Sequence, residues 1–239
     1  MIKALIKKLS NFVGFDLVRV SHNPEHTLLG LRNLLVHSVI DVGANRGQFA
    51  KKISKIFPEA LIYCFEPLPI AFKELNKWAE KQNGKVRAFN VAIGEREEEV
   101  EMFYHLEHSA SSSILKTTDT CEELFPFTRE QKSIRVKLTT LDKIMAKVPV
   151  VLEPELIIKL DVQGYEKCVI DGGYETFSKA RACIIEVSLD KLYENQTDFK
   201  DILLLLNKLG FRYIGNSNQV YGQDGHVIYF DSLFMKQQS

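Results

Sequence analysis

The sequence lacks the features that mark several classes of protein. No apolar run approaches the roughly 20 residues that a bilayer-spanning helix needs. The first nine residues, MIKALIKKL, have neither the unbroken apolar stretch nor the small-residue cleavage site of a signal peptide. There is also no net charge, because 31 basic residues balance 31 acidic ones. These absences predict a soluble protein without a transmembrane segment, and they disfavour nucleic acid as a partner.

Cysteine is scarce, and its spacing does not indicate a metal or redox site. The four cysteines form no C-x-x-C pair, and Cys64 and Cys183 lie inside apolar, strand-like runs. This placement favours buried free thiols. Free thiols indicate a reducing compartment, so the sequence predicts a cytoplasmic protein with no assigned metal ligands.

The chain is long enough to fold without disulfide bonds or a structural metal ion, and it begins with a predicted helical extension. Its 239 residues are 45% hydrophobic, which suffices for a buried core. Residues 1–37 form the predicted extension, with apolar residues and lysines at helical spacing over 1–13 and leucines at helical spacing over 25–36. The first helix is predicted to pack on the domain, and peripheral contact with an anionic membrane surface is the alternative.

From residue 38 to about 235, apolar runs alternate with amphipathic stretches. Predicted strands cover 38–40, 61–65, 86–93, 100–104, 156–161 and 182–187, and predicted helices run to about 57 and over 70–81, 165–177 and 199–209. Each crossover helix must bury its apolar stripe on a sheet, so this order predicts an α/β fold with a mostly parallel sheet. Residues 212–214 and 227–230 flank the turn-forming sequence QDG and predict a hairpin at the sheet edge.

A polar insertion at about 105–132 interrupts this alternation. It contains serines at 109, 111, 112 and 113. Long polar insertions in compact domains are usually functional or mobile, so this one is a candidate substrate lid, with disorder as the alternative.

The segment DVGANRGQF, residues 41–49, joins the first of these strands to a helix. Gly43 and Gly47, which flank Ala44, allow a sharp turn and close approach of a ligand, and the helix offers free N–H groups. A pyrophosphate site would require glycine at position 45. Asp41 and Asn45 instead suit a cationic ligand that carries an amine and a carboxylate, and S-adenosylmethionine is such a ligand.

Other candidate ligand contacts lie where predicted strands end, because open parallel sheets bind ligands at their carboxyl edge. Glu66, followed by Pro67, ends the second strand, where a carboxylate can accept both ribose hydroxyls. A helix N-terminal acid is the alternative reading of Glu66. Ala92 and Ile93 end the third strand, where apolar backbone can cover an adenine face.

Six segments in one order resemble a known family. They are residues 39–47, 65–67, 90–94, 140–142, 158–166 and 185–187. The series resembles the FkbM family of S-adenosylmethionine-dependent methyltransferases over about residues 38–235. The resemblance implies a Rossmann-like class I methyltransferase fold, with a mostly parallel seven-stranded sheet and an antiparallel edge strand. It also implies O-methylation of a hydroxyl on a sugar, glycan or small natural product.

Methylation of a hydroxyl calls for a general base. Asp161, at the end of a predicted strand, is the first candidate, followed by Glu186, which interrupts an apolar strand, and by His105 and His108 of the insertion. Asp161 could instead bind the methionine amine or share a divalent cation with Glu186. A lone surface histidine is more often solvated than catalytic, and this is the alternative for each of the two.

Two other function classes remain open. A catalytically silent binding module would keep the same fold, and Gln163, where the family commonly has Glu, is its best support. A nicotinamide dehydrogenase would share the strand, glycine turn and distal acid, but it would need glycine at position 45. The identity of the acceptor and the oligomeric state are left open.

Overall fold

The strands form two sheets in the computed structural model, which describes residues 2–15, 17–105, 107–148 and 155–237. The strands are β1 (Ser38–Val42), β2 (Leu61–Phe65), β3 (Val86–Phe89), β4 (Ala92–Ile93), β5 (Glu98–His105), β6 (Gln131–Thr139), β7 (Leu156–Leu160), β8 (Ala180–Ser188), β9 (Phe211–Tyr221) and β10 (Val227–Lys236). The helices are α1 (Ile2–Phe12), α2 (Pro24–Thr27), α3 (Gln48–Ile56), α4 (Pro69–Ala79), α5 (Asp119–Leu124), α6 (Leu141–Met145), α7 (Glu166–Asp171), α8 (Tyr174–Lys179) and α9 (Phe199–Lys208).

The main sheet has seven strands in the order β3-β2-β1-β7-β8-β10-β9. Pairing is parallel from β3 to β8, and β10 runs antiparallel between β8 and β9. The predicted hairpin therefore closes one edge, and the predicted α/β fold with a mostly parallel seven-stranded sheet is confirmed. Chain order reverses between β1 and β7, which is where open sheets of this kind bind ligands.

Apolar side chains cover both faces of this sheet. Every residue of β1 and β7 is buried, as expected for parallel strands between two helical layers. On one face the core includes Ala50 of α3 and Leu75 of α4. On the other it includes Val169 of α7, Phe177 of α8 and Leu206 of α9. The sheet is thus fixed from both sides, which holds its carboxyl edge in place.

The stretch 86–93, predicted as one strand, is two strands in different sheets. β3 belongs to the main sheet, whereas β4 pairs with β6 in a three-stranded sheet of order β4-β6-β5. Asn90 lies at the break, and its side-chain amide donates to the backbone carbonyls of Glu66 and Pro67, both at 2.9 Å. The single-strand prediction was wrong because hydrophobic periodicity does not reveal a side chain, such as that of Asn90, that hydrogen-bonds to the backbone of a distant loop.

The predicted helix 165–177 is likewise divided, into α7 and α8. Gly172 and Gly173 separate the two helices. A Cβ on Gly172 would lie 1.9 Å from the carbonyl oxygen of Gly94. The chain therefore needs glycine at 172 for close backbone approach, and the helix breaks there.

Only the start of the predicted helix 25–36 is α-helical. α2 is followed by 3-10 turns over Leu28–Asn33, in which Leu29 and Gly30 have φ angles of 49° and 96°. Left-handed residues cannot continue a right-handed α-helix. Leu28 and Leu31 are nevertheless buried, so the leucine spacing identified core-facing residues although it missed the backbone path.

The first helix is present but does not pack as predicted. Ile6, Leu9 and Phe12 of α1 are 51%, 67% and 87% exposed. Packing of this apolar stripe on the domain is therefore not observed for these side chains. No helix within the described ranges is long and apolar enough to cross a membrane.

Candidate cofactor and acceptor sites

A cleft opens at the carboxyl ends of β1, β2 and β7. Its empty volume, part of which is open to solvent, is about 520 Å³. Of the predicted cofactor residues, those that line it are Gly43, Asn45, Glu66, Pro67, Ala92, Ile93 and Asp161. Asp41, Ala44 and Gly47 belong to the same strand and turn but do not line it. The structure thus brings together strand ends that are far apart in sequence.

Gly43 is required by the close approach of β1 and β7. Its φ is +80°, and a Cβ there would lie 1.8 Å from the carbonyl oxygen of Asp161. The N–H groups of Gly43 and Ala44 both donate to the carbonyl of Phe65 at 3.0 Å, which ties the turn to the end of β2. Gly47, with φ of +81°, then begins α3. No other residue type fits at 43 without moving backbone.

Glu66 joins this turn to the loop after β2. One carboxylate oxygen accepts from the N–H of Asn45 and the other from the N–H of Leu68, each at 2.8 Å. Burial raises the pKa of Glu66 to about 7, although both backbone donors oppose the shift. Each oxygen keeps a further lone pair for a donor from the cleft. The bond to Leu68, just before α4, also matches the alternative of a helix N-terminal acid.

Asp41 places an unpartnered carboxylate at the end of β1. The side chain is fully buried, and neither oxygen makes a hydrogen bond of good geometry to a described residue, although the backbone N–H of Ala50 is near enough to favour the charged form. Burial raises its pKa to about 6, although the nearby charge of Lys159 opposes this. A buried acid without a hydrogen bond is costly. Together with the glycine turn, this acidic strand end fits a cationic ligand such as S-adenosylmethionine.

A second cavity adjoins the cofactor cleft, and we call it the acceptor cavity. Its empty volume is about 790 Å³. The lining residues are His108, Ala110, Ser111, Cys121, Phe125, Phe127, Asp161, Gln163, Glu186, Leu192, Tyr193 and Tyr229. Asp161 and Ala110 line both cavities, so the two spaces meet at the end of β7. Residues of the predicted insertion form much of the wall of each cavity.

Five polar side chains form a hydrogen-bonded network at this junction. Lys159 Nζ donates to one oxygen of Asp161, and Gln163 Nε2 donates to the other, each at 2.8 Å. Gln163 Nε2 also donates to Glu186 Oε1. The Oε1 atom of Gln163 accepts from the Tyr193 hydroxyl at 2.6 Å. Gln163 therefore uses both amide hydrogens to hold two carboxylates side by side.

This environment separates the two carboxylates electrostatically. Burial, followed by the charge of Asp161, raises the pKa of Glu186 well above its usual value. Burial alone would lower the pKa of Lys159, but the charges of Asp161 and Asp41 outweigh it and hold the ammonium protonated. Asp161 is thus paired with a permanent cation. Glu186 therefore holds a proton more readily than an exposed glutamate does.

The two candidate histidines occupy different places. His108 lines the acceptor cavity, where its Nδ1 lies 2.9 Å from Ser111 Oγ and its ring centroid 4.7 Å from that of Phe127. His105 is buried at the end of β5 and lines neither cavity. Burial lowers its pKa, which favours the neutral ring. Only His108 is therefore placed to contact an acceptor.

The family match agrees with this geometry. The model of the FkbM methyltransferase domain matches residues 41–213. This chain belongs to the FkbM methyltransferase family. Its prediction as an S-adenosylmethionine-dependent methyltransferase is thereby confirmed.

Individual relatives of this FkbM methyltransferase share most of its length. The 2-O-methyltransferase NoeI of Sinorhizobium fredii is 32% identical over 176 residues, which cover 70% of each chain. Methyltransferase 1 of Beauveria bassiana is 22% identical over 182 residues, covering 72% of this chain and 71% of that one. A solved structure of magnesium protoporphyrin IX methyltransferase (ChlM) from Synechocystis, with bound SAM, has 11% identity and a TM-score of 0.49, and covers 98% of this chain and 97% of its own.

Sequence reasoning missed several residues of the FkbM acceptor cavity. Lys159 carried a usable signal, since a lysine inside an apolar strand needs a partner just as Glu186 does. The cavity aromatics Phe125, Tyr193 and Tyr229 come from separate segments, and no spacing in the sequence links them. Across the described ranges, no group of three or more His, Cys, Asp or Glu residues could hold a metal ion.

Proposed function

We propose that this FkbM methyltransferase transfers the methyl group of S-adenosylmethionine to a hydroxyl oxygen of a sugar, glycan or small natural product. The observation that carries the proposal is the acceptor cavity, which joins the cofactor cleft at Asp161 and is lined by the partly buried carboxyl group of Glu186. Its 2-O-methyltransferase relative supports oxygen as the accepting atom.

The cofactor cleft offers a partner for each part of the cofactor. Glu66 can accept the two ribose hydroxyls with its remaining lone pairs. Ala92 and Ile93, at the end of β4, present an apolar wall for the adenine ring. The acids Asp41 and Asp161 supply negative charge for the methionine amine. When bound, S-adenosylmethionine supplies a sulfonium-activated methyl group whose transfer to oxygen leaves a neutral thioether.

Glu186 is the proposed general base, in preference to Asp161. A base needs a carboxylate oxygen that can receive the acceptor proton, and Glu186 lines the acceptor cavity with only its Oε1 atom hydrogen-bonded to Gln163. In this role Glu186 takes the proton of the acceptor hydroxyl as the new C–O bond forms, and it later releases that proton to solvent. Asp161 already accepts from Lys159 and Gln163, so we assign it to binding the methionine amine at the boundary of the two cavities.

The walls of the acceptor cavity suit a ring that has one apolar face and several hydroxyls. Phe125 lies 5.8 Å from Phe127 and 6.2 Å from Tyr229 between ring centroids, so the three rings form one apolar wall. Gln163 and Glu186 line the same cavity and provide polar atoms. Such a mixture of aromatic surface and few polar groups is typical of sites that orient a small molecule.

Two further proposals concern the setting of the reaction. The four cysteines are free thiols, and three of them are buried, which supports a reducing compartment and hence the cytoplasm. Side chains alone, without a divalent cation, activate the hydroxyl in this proposal, because Lys159 and Gln163 already occupy the oxygens of Asp161. Full activity in the presence of a chelator is the expected result, and loss of activity restored by Mg²⁺ would reassign Asp161 and Glu186 as metal ligands.

The acceptor class can be tested with a panel of p-nitrophenyl glycosides and labelled S-adenosylmethionine. The expected product carries one additional CH₂ unit on a ring hydroxyl, located by mass spectrometry. Glu194, an exposed carboxylate, provides a control, and Glu194→Gln should methylate at the wild-type rate. Transfer to amine or carboxylate probes in preference to every glycoside would contradict hydroxyl methylation.

A further inference from the structure

The segment before the main sheet exposes a series of large apolar side chains. Those in and just after α1 are Ile6, Leu9, Phe12 and Val13, at 51%, 67%, 87% and 60% exposure. Leu17, Val18 and Val20 follow at 50%, 58% and 59%. Single exposed apolar residues are ordinary, but these seven within fifteen residues indicate a surface that meets an apolar partner. We call residues 2–20 the N-terminal segment.

The spacing places three of these residues on one side of a helix. Ile6, Leu9 and Val13 follow one another at intervals of three and four, and such residues are neighbours on a helical surface. The helical hydrogen bond from the N–H of Val13 to the carbonyl of Leu9 extends this geometry past the end of α1. The apolar stripe can therefore contact an apolar surface along its length.

The positive charge of the N-terminal segment favours a partner that is negatively charged. Residues 2–20 contain Lys3, Lys7, Lys8 and Arg19 and a single acid, Asp16, although the whole chain has equal numbers of basic and acidic residues. An apolar helical stripe that is accompanied by lysines and almost no acids is typical of helices that lie in the interface of an anionic bilayer. Lysines near the helix surface are drawn to acidic lipid head groups within a Debye length.

We propose that the N-terminal segment docks this enzyme on an anionic lipid surface, with the apolar stripe at the level of the acyl chains and the lysines at the head groups. A second copy of the chain is a poorer occupant of the stripe, because pairing two such segments would bring positive charges together. The proposal is independent of the acceptor, since none of these residues lines either cavity.

Vesicle flotation with the full chain tests the proposal. The protein should float with phosphatidylcholine vesicles that contain about 30% phosphatidylglycerol and remain unbound with phosphatidylcholine alone. Binding should fall at least tenfold in about 0.5 M salt, where surface charges are screened. Leu9→Glu should lower binding at least tenfold, because it removes apolar contact and adds a repelled charge.

Ile70→Glu is the matched control, since Ile70 of α4 is 70% exposed and Leu9 is 67% exposed. It should bind vesicles like wild type, and both variants should keep the wild-type thermal shift with S-adenosylhomocysteine, which reports folding. Equal binding to neutral vesicles, no binding at all, or unchanged binding of Leu9→Glu would overturn the proposal. So would a dimer seen by light scattering without lipid that Leu9→Glu converts to monomer, because the stripe would then belong to a second copy.

Discussion

Asp161 and Glu186 differ in what surrounds them, although Gln163 holds both. Asp161 is paired with the buried ammonium of Lys159, whereas Glu186 is hydrogen-bonded to Gln163 and has a pKa raised by burial and by the charge of Asp161. The two carboxylates therefore lie in different electrostatic environments. Acids in contrasting environments commonly divide the acid–base and electrostatic roles of a site.

This division predicts different effects for two isosteric variants. Glu186→Gln should cut turnover by roughly 10² or more with cofactor affinity nearly unchanged, because the base is lost but the cofactor cleft is intact. Asp161→Asn should chiefly weaken cofactor binding. Single-turnover kinetics and calorimetry with S-adenosylhomocysteine separate the two effects. A reversed pattern, with the larger loss of turnover in Asp161→Asn at saturating cofactor, would return the base to Asp161.

Glu166 provides a pH test of stability. It is fully buried on α7, and burial raises its pKa to about 7 against the donation from the Gly164 N–H. An acid whose pKa is higher in the folded protein binds more protons folded than unfolded, so its contribution to stability falls as pH rises from about 4.5 through about 7. Glu166→Gln should therefore gain stability relative to wild type across this window, by up to about 3 kcal/mol. Urea unfolding at several pH values measures this, and a pH-independent difference would refute the assignment.

Among the elements, the parallel strands were the most predictable. β1, β2, β7 and β8 lie where the sequence shows short apolar runs, because strands buried on both faces must be apolar along their length. The glycine turn and Glu66 could be placed for the same reason, since each directly follows such a run. Their arrival in one cleft follows from parallel pairing.

Other features depended on contacts between distant residues and could not be predicted. The break between α7 and α8 follows from the approach of Gly172 to Gly94, and the separation of β4 from β3 accompanies the bonds of Asn90 to the loop after β2. The acceptor cavity combines the insertion with side chains from β8 and β10. No local pattern encodes such a combination, so only Asp161, Glu186 and His108 of its lining were candidates beforehand.

The turn between β1 and α3 yields a prediction at the scale of the element. Gly43→Ala should lower the melting temperature and abolish binding of S-adenosylhomocysteine, because its Cβ would overlap the backbone of Asp161. Gly84→Ala is a matched control, since Gly84 has a similar φ of +78° but no atom within 4 Å of an added Cβ. The control should cost only about 1 kcal/mol and leave binding intact. Equal effects of the two variants in thermal melts would show that backbone strain alone, and not the β1–β7 contact, explains glycine at 43.

At the scale of the whole molecule, the fold places two cavities on one edge of the sheet. The cofactor cleft lies where strand order reverses between β1 and β7, and the small sheet with the insertion encloses it. The acceptor cavity continues from it toward β8 and β10. Asp161, at the end of β7, and Ala110 line both cavities. The arrangement lets the cofactor be bound without the acceptor.

Isothermal titration with S-adenosylhomocysteine measures this separation directly and requires no knowledge of the acceptor. Wild type should bind one equivalent. Glu66→Gln should weaken affinity by about 1 to 3 kcal/mol, since it removes a charge-assisted acceptor from the cofactor cleft. Glu186→Gln, the same substitution in the acceptor cavity, should bind within about twofold of wild type. Absence of binding by the wild type, or equal losses in the two variants, would contradict a cofactor cleft at Glu66 that is distinct from an acceptor cavity at Glu186.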